Sequence, residues 1–186
     1  MGKSILITGG ARSGKSSFAE KLAKELGGRI LYIATAIPFD EEMKDRIRRH
    51  KESRPPEWDT FEAYKNLGRE IEEKGKEYDV ILLDCITVMI TNIFIEYPEI
   101  DFENPDFSKV ENVENEIRRE IEGLAEGIKN TDANVILVTN ELGCGIVPEN
   151  LFTRVFRDIS GRVNQYIAYF CDEVYVTICG LPLKLK

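Results

Sequence analysis

The segment Gly9-Gly10-Ala11-Arg12-Ser13-Gly14-Lys15-Ser16 determines the fold class expected for this chain. It fits the pattern GxxxxGK[ST] of the phosphate-binding loop. Apolar residues 4–8 precede it and an amphipathic stretch, 17–26, follows it, so the sequence predicts a strand, a glycine loop and a helix. In such a loop the backbone amides point at phosphate oxygens, and the positive end of the helix dipole strengthens the attraction.

Two side chains of this loop have a defined chemical use. Lys15 is placed to reach the β- and γ-phosphates of a nucleotide, and the Ser16 hydroxyl is placed to ligate a magnesium ion. The alternative is a glycine-rich turn with a solvated lysine, which explains neither the spacing nor the serine. We therefore predict binding of a nucleoside triphosphate, GTP or ATP, together with Mg²⁺.

A second nucleotide motif ends at Asp84. Four apolar residues, 80–83, lead into this aspartate, as is typical of a Walker B strand. At the carboxyl end of a buried parallel strand, Asp84 would hold magnesium directly or through water. The alternative is an aspartate that only caps the following helix. The predicted metal ligands are thus Ser16 and Asp84.

Composition limits the classes of protein to consider. The 186 residues predict a single domain, 1–186. The net charge of −8 and the lack of a long basic stripe argue against a nucleic-acid partner. No apolar run is long enough to span a bilayer, and the phosphate loop begins too early to leave room for a signal peptide. Four cysteines without a CxxC pair indicate reduced thiols, so we expect a cytoplasmic protein.

The hydrophobic pattern predicts the fold class. Apolar runs and amphipathic stretches alternate in the order β-α-β-α-β-α-β-α-α-β-α-β-β. This order indicates an α/β protein of the P-loop NTPase type, with a mainly parallel central sheet and helices on both faces. The nucleotide should then lie across the carboxyl ends of the strands. Within the helix predicted at 151–170, we expect Phe152 and Tyr166 to belong to the buried stripe.

His50 is the only histidine in the chain. It lies on a predicted helix that follows Asp40, a plausible N-cap, and it is followed by Lys51 and Arg54. A neutral imidazole between cations is suited to meet a phosphate group. A single histidine beside basic residues is also typical of a solvated surface, so composition leaves both interpretations open.

Four collinear blocks of sequence resemble one family, the bifunctional adenosylcobinamide kinase / adenosylcobinamide-phosphate guanylyltransferase of cobalamin biosynthesis. The first block, 8–17, is shared by many NTPases, whereas the second and fourth are specific to this family. The second block comprises 32–36, 40–43, 46–47, His50, 54–55 and Trp58. The third comprises 82–87 and 91–92, and the fourth comprises 138–141, 145–150 and 156–165.

The resemblance implies two reactions. A nucleoside triphosphate gives its γ-phosphoryl group to the hydroxyl of adenosylcobinamide, and GTP then gives GMP to adenosylcobinamide phosphate, through a GMP-histidine intermediate. The matching histidine is His50, and Lys15 is the second expected catalytic residue. By position, the nucleotide contacts implied by the family are Gly9, Gly10, Ala11, Arg12, Ser13, Gly14, Lys15, Ser16, Ala34, Thr35, Ala36, Lys51, Glu52, Ser53, Arg54, Glu62 and Asp84.

The resemblance further suggests that Glu62 accepts hydrogen bonds from guanine, and that the chain assembles as a homotrimer. Which nucleotide feeds the kinase step stays open, since ATP and GTP present the same phosphates to the loop. Two alternatives remain at this point. A P-loop kinase of another small metabolite would leave His50 unused, and a non-catalytic GTP-dependent switch would bind nucleotide without turning over a corrinoid.

Overall fold

The computed structural model describes residues 2–38, 41–97, 100–103 and 106–186, without the side chains of Glu42, Arg46, His50 and Ser53. The expected N-cap Asp40 lies outside the described residues. The strands are β1 Ser4–Gly9, β2 Ile30–Ala34, β3 Asp59–Glu62, β4 Val80–Asp84, β5 Asn134–Val138, β6 Glu173–Ile178 and β7 Leu181–Lys184. The helices are α1 Lys15–Leu26, α2 Glu41–Ser53, α3 Leu67–Lys74, α4 Ile86–Ile95, α5 Phe107–Lys129 and α6 Leu151–Phe170.

All seven described strands form one sheet in the order β3-β2-β4-β5-β1-β6-β7. The first six strands of the chain pair in parallel, and β7 pairs antiparallel with β6 at the edge. The central strands are continuous apolar runs because parallel sheets are covered on both faces. The predicted element order and α/β class are therefore confirmed.

Helices cover the two faces of the sheet unequally. One face packs against α1 through Ala19 and Ala23, and Tyr32 and Trp58 belong to the same apolar cluster. The opposite face packs against α3, α4, α5 and α6, which form the larger cluster. The prediction of helices on both faces is correct, but it did not show this asymmetry.

Two details of the helices differ from the sequence prediction. The side chains of Phe152 and Tyr166 on α6 are 36% and 44% exposed, so the prediction that both belong to the buried stripe is wrong. Phe152 packs instead against Phe102, with ring centroids 4.9 Å apart. The apolar spacing in the sequence predicts a helix over 109–129. Helix α5 begins two residues earlier, at Phe107, because the Asp106 carboxylate accepts a hydrogen bond from the Ser108 amide (3.0 Å) and caps the first turn.

Two further observations concern the cysteines and the length of the helices. Cys85 and Cys171 are buried and Cys144 and Cys179 are exposed, and all four of these described residues are free thiols. None of the helices in the described ranges combines the length and apolarity needed to cross a bilayer.

Candidate functional site

The phosphate-binding loop is held in a closed curve by its own backbone. The Ser13 amide donates to the Gly10 carbonyl (3.2 Å), and the Phe18 amide donates to the Gly14 carbonyl at the start of α1 (2.9 Å). The Lys15 ammonium also donates to the Gly10 carbonyl (3.1 Å). The lysine that is expected to reach phosphate thus lies over the loop itself.

The turn between β6 and β7 and the end of β6 contact this loop and hold it in place. The Gly180 amide donates to the Ser13 carbonyl (2.9 Å), and the Ser13 and Thr177 hydroxyls are 2.8 Å apart. Gly14 has φ 93°, and a Cβ added there would lie 2.9 Å from the Gly180 Cα atom. Glycine is therefore required at Gly14 for its backbone conformation and for its close contact with the turn.

The first turn of α1 is open to an anion. Its N-cap is Gly14, no side chain among the described residues caps it, and its first turn contains no acidic residue. A helix start that lacks its own acceptors attracts negative charge through its amides and its dipole. The loop and the helix together therefore provide the phosphate-binding geometry that the sequence predicted.

A row of residues across the carboxyl edge connects this loop to the other predicted contacts. Glu62 on β3 is in register with Ala34 on β2, Ala34 with Asp84 on β4, and Asp84 with Val138 on β5. Val138 is in register with Ile7, two residues before the phosphate loop. Because neighbouring strands are about 4.8 Å apart, the Glu62 and Asp84 backbones lie about 10 Å from each other.

The segment Ala34-Thr35-Ala36 follows the end of β2. The Thr35 hydroxyl donates to the Cys85 carbonyl (2.8 Å) and accepts from the Cys85 amide (2.9 Å). The Asn92 amide donates to the Thr35 carbonyl (2.6 Å). Thr35 therefore ties β2 to the segment after Asp84, and its predicted nucleotide contact remains a prediction.

The C-terminal end of α2 lies beside the same edge. The Lys51 ammonium forms an ion pair with the Glu62 carboxylate (2.5 Å), and the Arg54 guanidinium lies 3.5 Å from the centroid of the Tyr32 ring. Trp58 is buried and belongs to the same apolar cluster as Tyr32. An open cavity of about 350 Å³ is lined by Lys51, Arg54, Pro55, Pro56, Trp58, Thr60 and Glu62. Its volume is within the range of small-molecule sites.

Not every predicted contact meets at this cavity. Glu52 is exposed and pairs along the helix with Arg48 (2.9 Å), and it is not among the residues that line the cavity. The side chains of His50 and Ser53 lie outside the described part of the structure. The backbone of His50 belongs to α2, one residue before Lys51.

Two residues that the sequence analysis did not assign lie close to Asp84. The Tyr32 hydroxyl donates to Asp84 Oδ2 (3.0 Å), and burial together with the Asp84 charge raises the pKa of Tyr32 well above its usual value. Glu20 on α1 is half-buried, and this burial, followed by the Asp84 charge, raises the pKa of its carboxyl group. In the sequence, the only feature that could have indicated that Tyr32 lies near the site is its position. It precedes Ala34 by two residues and therefore lies on the same face of the sheet.

The oxygen donors of Ser16 and Asp84 suit a magnesium ion that is also bound by nucleotide phosphates. They do not suit a metal ion that is held by protein side chains alone. No group of three or more His, Cys, Asp or Glu side chains that could hold a metal exists within the described ranges. Magnesium is commonly bound by one or two protein oxygens, with nucleotide phosphates and water completing its shell. A hydroxyl at the start of α1 and a carboxylate at the end of β4 match this donor set.

Comparison with a solved structure supports the fold. The solved structure of a prototypical ATPase from the type III secretion system of pathogenic bacteria superposes on this chain with a TM-score of 0.53. The alignment covers 99% of this chain and 58% of that chain at 12% sequence identity. At this identity the match concerns the fold alone.

Sequence relatives identify the family. The family model described as cobinamide kinase / cobinamide phosphate guanyltransferase matches residues 5–185. The bifunctional adenosylcobalamin biosynthesis protein CobU of Escherichia coli K12 is 42% identical over 98% of this chain and 99% of its own length. The protein of the same name from Salmonella typhimurium LT2 is 46% identical over the same shares of the two chains. The chain therefore belongs to the bifunctional cobinamide kinase / cobinamide phosphate guanyltransferase family.

Proposed function

We propose that this chain phosphorylates adenosylcobinamide with a nucleoside triphosphate and then transfers GMP from GTP to adenosylcobinamide phosphate through a GMP-histidine on His50. The product is adenosylcobinamide-GDP, an intermediate of cobalamin biosynthesis. One observation supports this proposal above the others. The end of the histidine-bearing helix is tied to the edge of the sheet at which Asp84 and the phosphate loop lie, by the Lys51–Glu62 ion pair and the Arg54–Tyr32 contact.

The transfer step follows from the chemistry of these residues. The neutral imidazole of His50 attacks the α-phosphorus of GTP, a nitrogen–phosphorus bond forms, and the bond to pyrophosphate breaks. Lys15 and the loop amides neutralise the charge that develops on the leaving pyrophosphate. A phosphate oxygen of adenosylcobinamide phosphate then attacks the same phosphorus and releases the histidine.

Magnesium, when bound, neutralises phosphate charge and orients the triphosphate. Ser16 and Asp84 would hold it. In the kinase step the same loop and Lys15 stabilise the transferred γ-phosphoryl group, so both reactions depend on one phosphate site.

Covalent labelling tests the proposed transfer. Purified protein is incubated with magnesium and GTP labelled at the α-phosphate, denatured, and examined for retained label. We expect label that is lost in acid and stable in alkali, as a phosphoramidate should be. If GTP binds but no label is retained, the guanylyl-transfer half of the proposal is wrong, and phosphorylation of adenosylcobinamide is the part that stands.

We further propose that Glu62 selects guanine. Its carboxylate lies at the cavity and can accept the two hydrogen bonds that guanine N1 and N2 donate, which adenine cannot match. Changing Glu62→Gln should reduce the preference for GTP over ATP by about 10- to 100-fold, since hydrogen bonds to a charged group contribute about 1.5–3 kcal/mol.

Competition binding of GTP and ATP measures this preference. Glu73→Gln is the matched control, because Glu73 is a carboxylate on α3 that pairs with Arg69 (2.8 Å) and lies outside the cavity lining. An unchanged GTP preference in Glu62→Gln would show that another group reads the base.

We also propose that the chain is a cytoplasmic single-domain protein, 1–186, that works as a homotrimer. Apolar side chains are exposed on β7, where Leu181 and Leu183 are 73% and 60% exposed on one strand face. Exposed apolar patches of this kind are typical of subunit contacts. Three chains of 21.2 kDa give an expected mass of about 64 kDa.

Light scattering coupled to size-exclusion chromatography tests the assembly. The double change Leu181→Asp and Leu183→Asp should shift the mass from about 64 kDa to that of one chain, because it buries two charges in the contact. Ile95→Asp, at an exposed apolar residue at the end of α4, serves as the control. A wild-type mass of a single chain would contradict the trimer.

A further inference from the structure

Tyr32 makes two contacts that connect separate parts of the candidate site. Its side chain is 2% exposed, its hydroxyl donates to Asp84 Oδ2 (3.0 Å), and its ring lies under the Arg54 guanidinium (3.5 Å). Asp84 belongs to the expected magnesium site, whereas Arg54 follows the histidine-bearing helix. One buried side chain thus contacts both groups.

The register of the sheet explains why Tyr32 reaches Asp84. Tyr32 is in register with Leu82 on the neighbouring strand, and Asp84 is two residues further along that strand. Side chains two residues apart on a strand share one face, so Asp84 is a diagonal neighbour of Tyr32 within reach of an aromatic side chain. The Tyr32 hydroxyl therefore reaches the Asp84 carboxylate from a position two residues before the carboxyl end of β4.

Arg54 is held against the Tyr32 ring, but two of its hydrogen-bond donors have no acceptor among the described residues. Its Nε and Nη1 atoms are buried and have no hydrogen-bond partner within the described residues. A guanidinium stays charged at any working pH and stacks well on an aromatic face. Buried donors without acceptors are costly, so this arrangement is expected where a ligand anion completes it.

We propose that Tyr32 is a positioning residue that sets Asp84 and Arg54 relative to each other, so that the metal end and the histidine end of the bound nucleotide are aligned together. This inference rests on the proposed function of the site. Its hydroxyl orients the Asp84 carboxylate toward the metal, and its ring supports the Arg54 guanidinium in the position where it meets phosphate.

The two contacts can be separated by substitution. Tyr32→Phe keeps the ring under Arg54 and removes only the hydrogen bond to Asp84. Tyr32→Leu removes both contacts. We expect Tyr32→Phe to reduce the gain in GTP affinity that magnesium provides by about tenfold, while GTP binding in EDTA stays unchanged, because loss of one hydrogen bond to a charged group acts only on the metal end.

Tyr78→Phe is a closely matched control. The Tyr78 hydroxyl donates to Asp59 Oδ2 (2.9 Å), and Arg29 lies over the Tyr78 ring (4.8 Å). Tyr78 therefore makes the same two kinds of contact as Tyr32, but at the amino ends of the strands. We expect Tyr78→Phe to leave the magnesium dependence of GTP binding unchanged. Thermal unfolding of each variant measures any general loss of stability.

A double-mutant cycle distinguishes positioning from a general effect. Asp84→Asn should itself reduce the gain in GTP affinity that magnesium provides and leave the part that depends on Ser16. In this background Tyr32→Phe should not reduce the remaining gain further, since its partner charge is absent. Tyr32→Leu should also weaken GTP binding in EDTA, through Arg54. The proposal is wrong if Tyr32→Phe binds GTP with the wild-type magnesium gain, or if Tyr78→Phe shows the same loss.

These binding measurements need no turnover, so the inference and the proposed function can fail separately. If wild-type protein retains no guanylyl label but its magnesium gain depends on Tyr32, the transfer chemistry is wrong and the positioning role stands. If label forms normally and the magnesium gain is insensitive to Tyr32, the proposed function stands and the positioning role is wrong.

Discussion

The variant His50→Ala is expected to retain no GMP after incubation with labelled GTP and denaturation. Guanylyl transfer to adenosylcobinamide phosphate should fall by about 10⁴-fold or more, because removal of a covalent nucleophile typically eliminates nearly all of the catalysed rate. Phosphorylation of adenosylcobinamide should stay within about threefold of wild type, since that step uses the phosphate loop and no histidine adduct.

Arg49→Ala is the matched control for this variant. Arg49 precedes His50 on α2, is 74% exposed, and pairs with Asp45 (2.7 Å) on the same helix. It therefore tests whether a substitution in this exposed helix alone disturbs transfer. Undiminished label in His50→Ala would show that another nucleophile accepts GMP. Equal loss of both reactions would show that His50 has a structural role.

The fold was largely predictable because it depends on local signals. The glycine loop between residues 4–8 and α1 has one interpretation in sequence, and each parallel strand is a continuous apolar run. The same reasoning failed for Phe152 and Tyr166, since helical periodicity shows which residues share a face and not how far that face is covered. The uneven distribution of helices was unpredictable for the same reason.

Close contacts between the backbones of two helices also could not be predicted from the sequence. A Cβ on Gly68 of α3 would lie 1.9 Å from the Gly123 carbonyl oxygen of α5, so the two helices meet at glycine. An isolated glycine in a helical pattern normally suggests only weak helix propensity. The contact that requires it comes from a residue more than fifty positions away, which a single sequence does not show.

Prediction of the site was limited in a different way. Lys15, Ser16 and Asp84 lie in motifs whose spacing is fixed by phosphate and metal chemistry, and so the residues alone predict them as site residues. The contribution of Lys51, Arg54 and Glu62 depended on family resemblance. Tyr32 was not assigned from the sequence, because a tyrosine in a buried strand ordinarily signals packing. Its contacts with Asp84 and Arg54 depend on strand register.

Replacement of Lys15 should affect both reactions together. Lys15→Ala is expected to lower the rates of phosphorylation and of guanylyl transfer by about 10²- to 10³-fold each, because both transition states place charge on phosphate oxygens beside this ammonium. Separate assays with adenosylcobinamide and with adenosylcobinamide phosphate measure the two rates. Lys21→Ala, on an exposed lysine of the same helix that pairs with Glu25 (3.7 Å), should leave both unchanged.

The contrast between the two variants tests whether one phosphate site serves both reactions. His50→Ala should separate the activities, whereas Lys15→Ala should reduce them in parallel, since the γ-phosphoryl group and the leaving pyrophosphate occupy the same loop. If Lys15→Ala abolished only phosphorylation, a second triphosphate site would have to serve GTP. Lys15→Ala should therefore also slow the labelling of an intact His50 by about 10²- to 10³-fold, because attack on the α-phosphorus needs the charge on the leaving pyrophosphate to be neutralised.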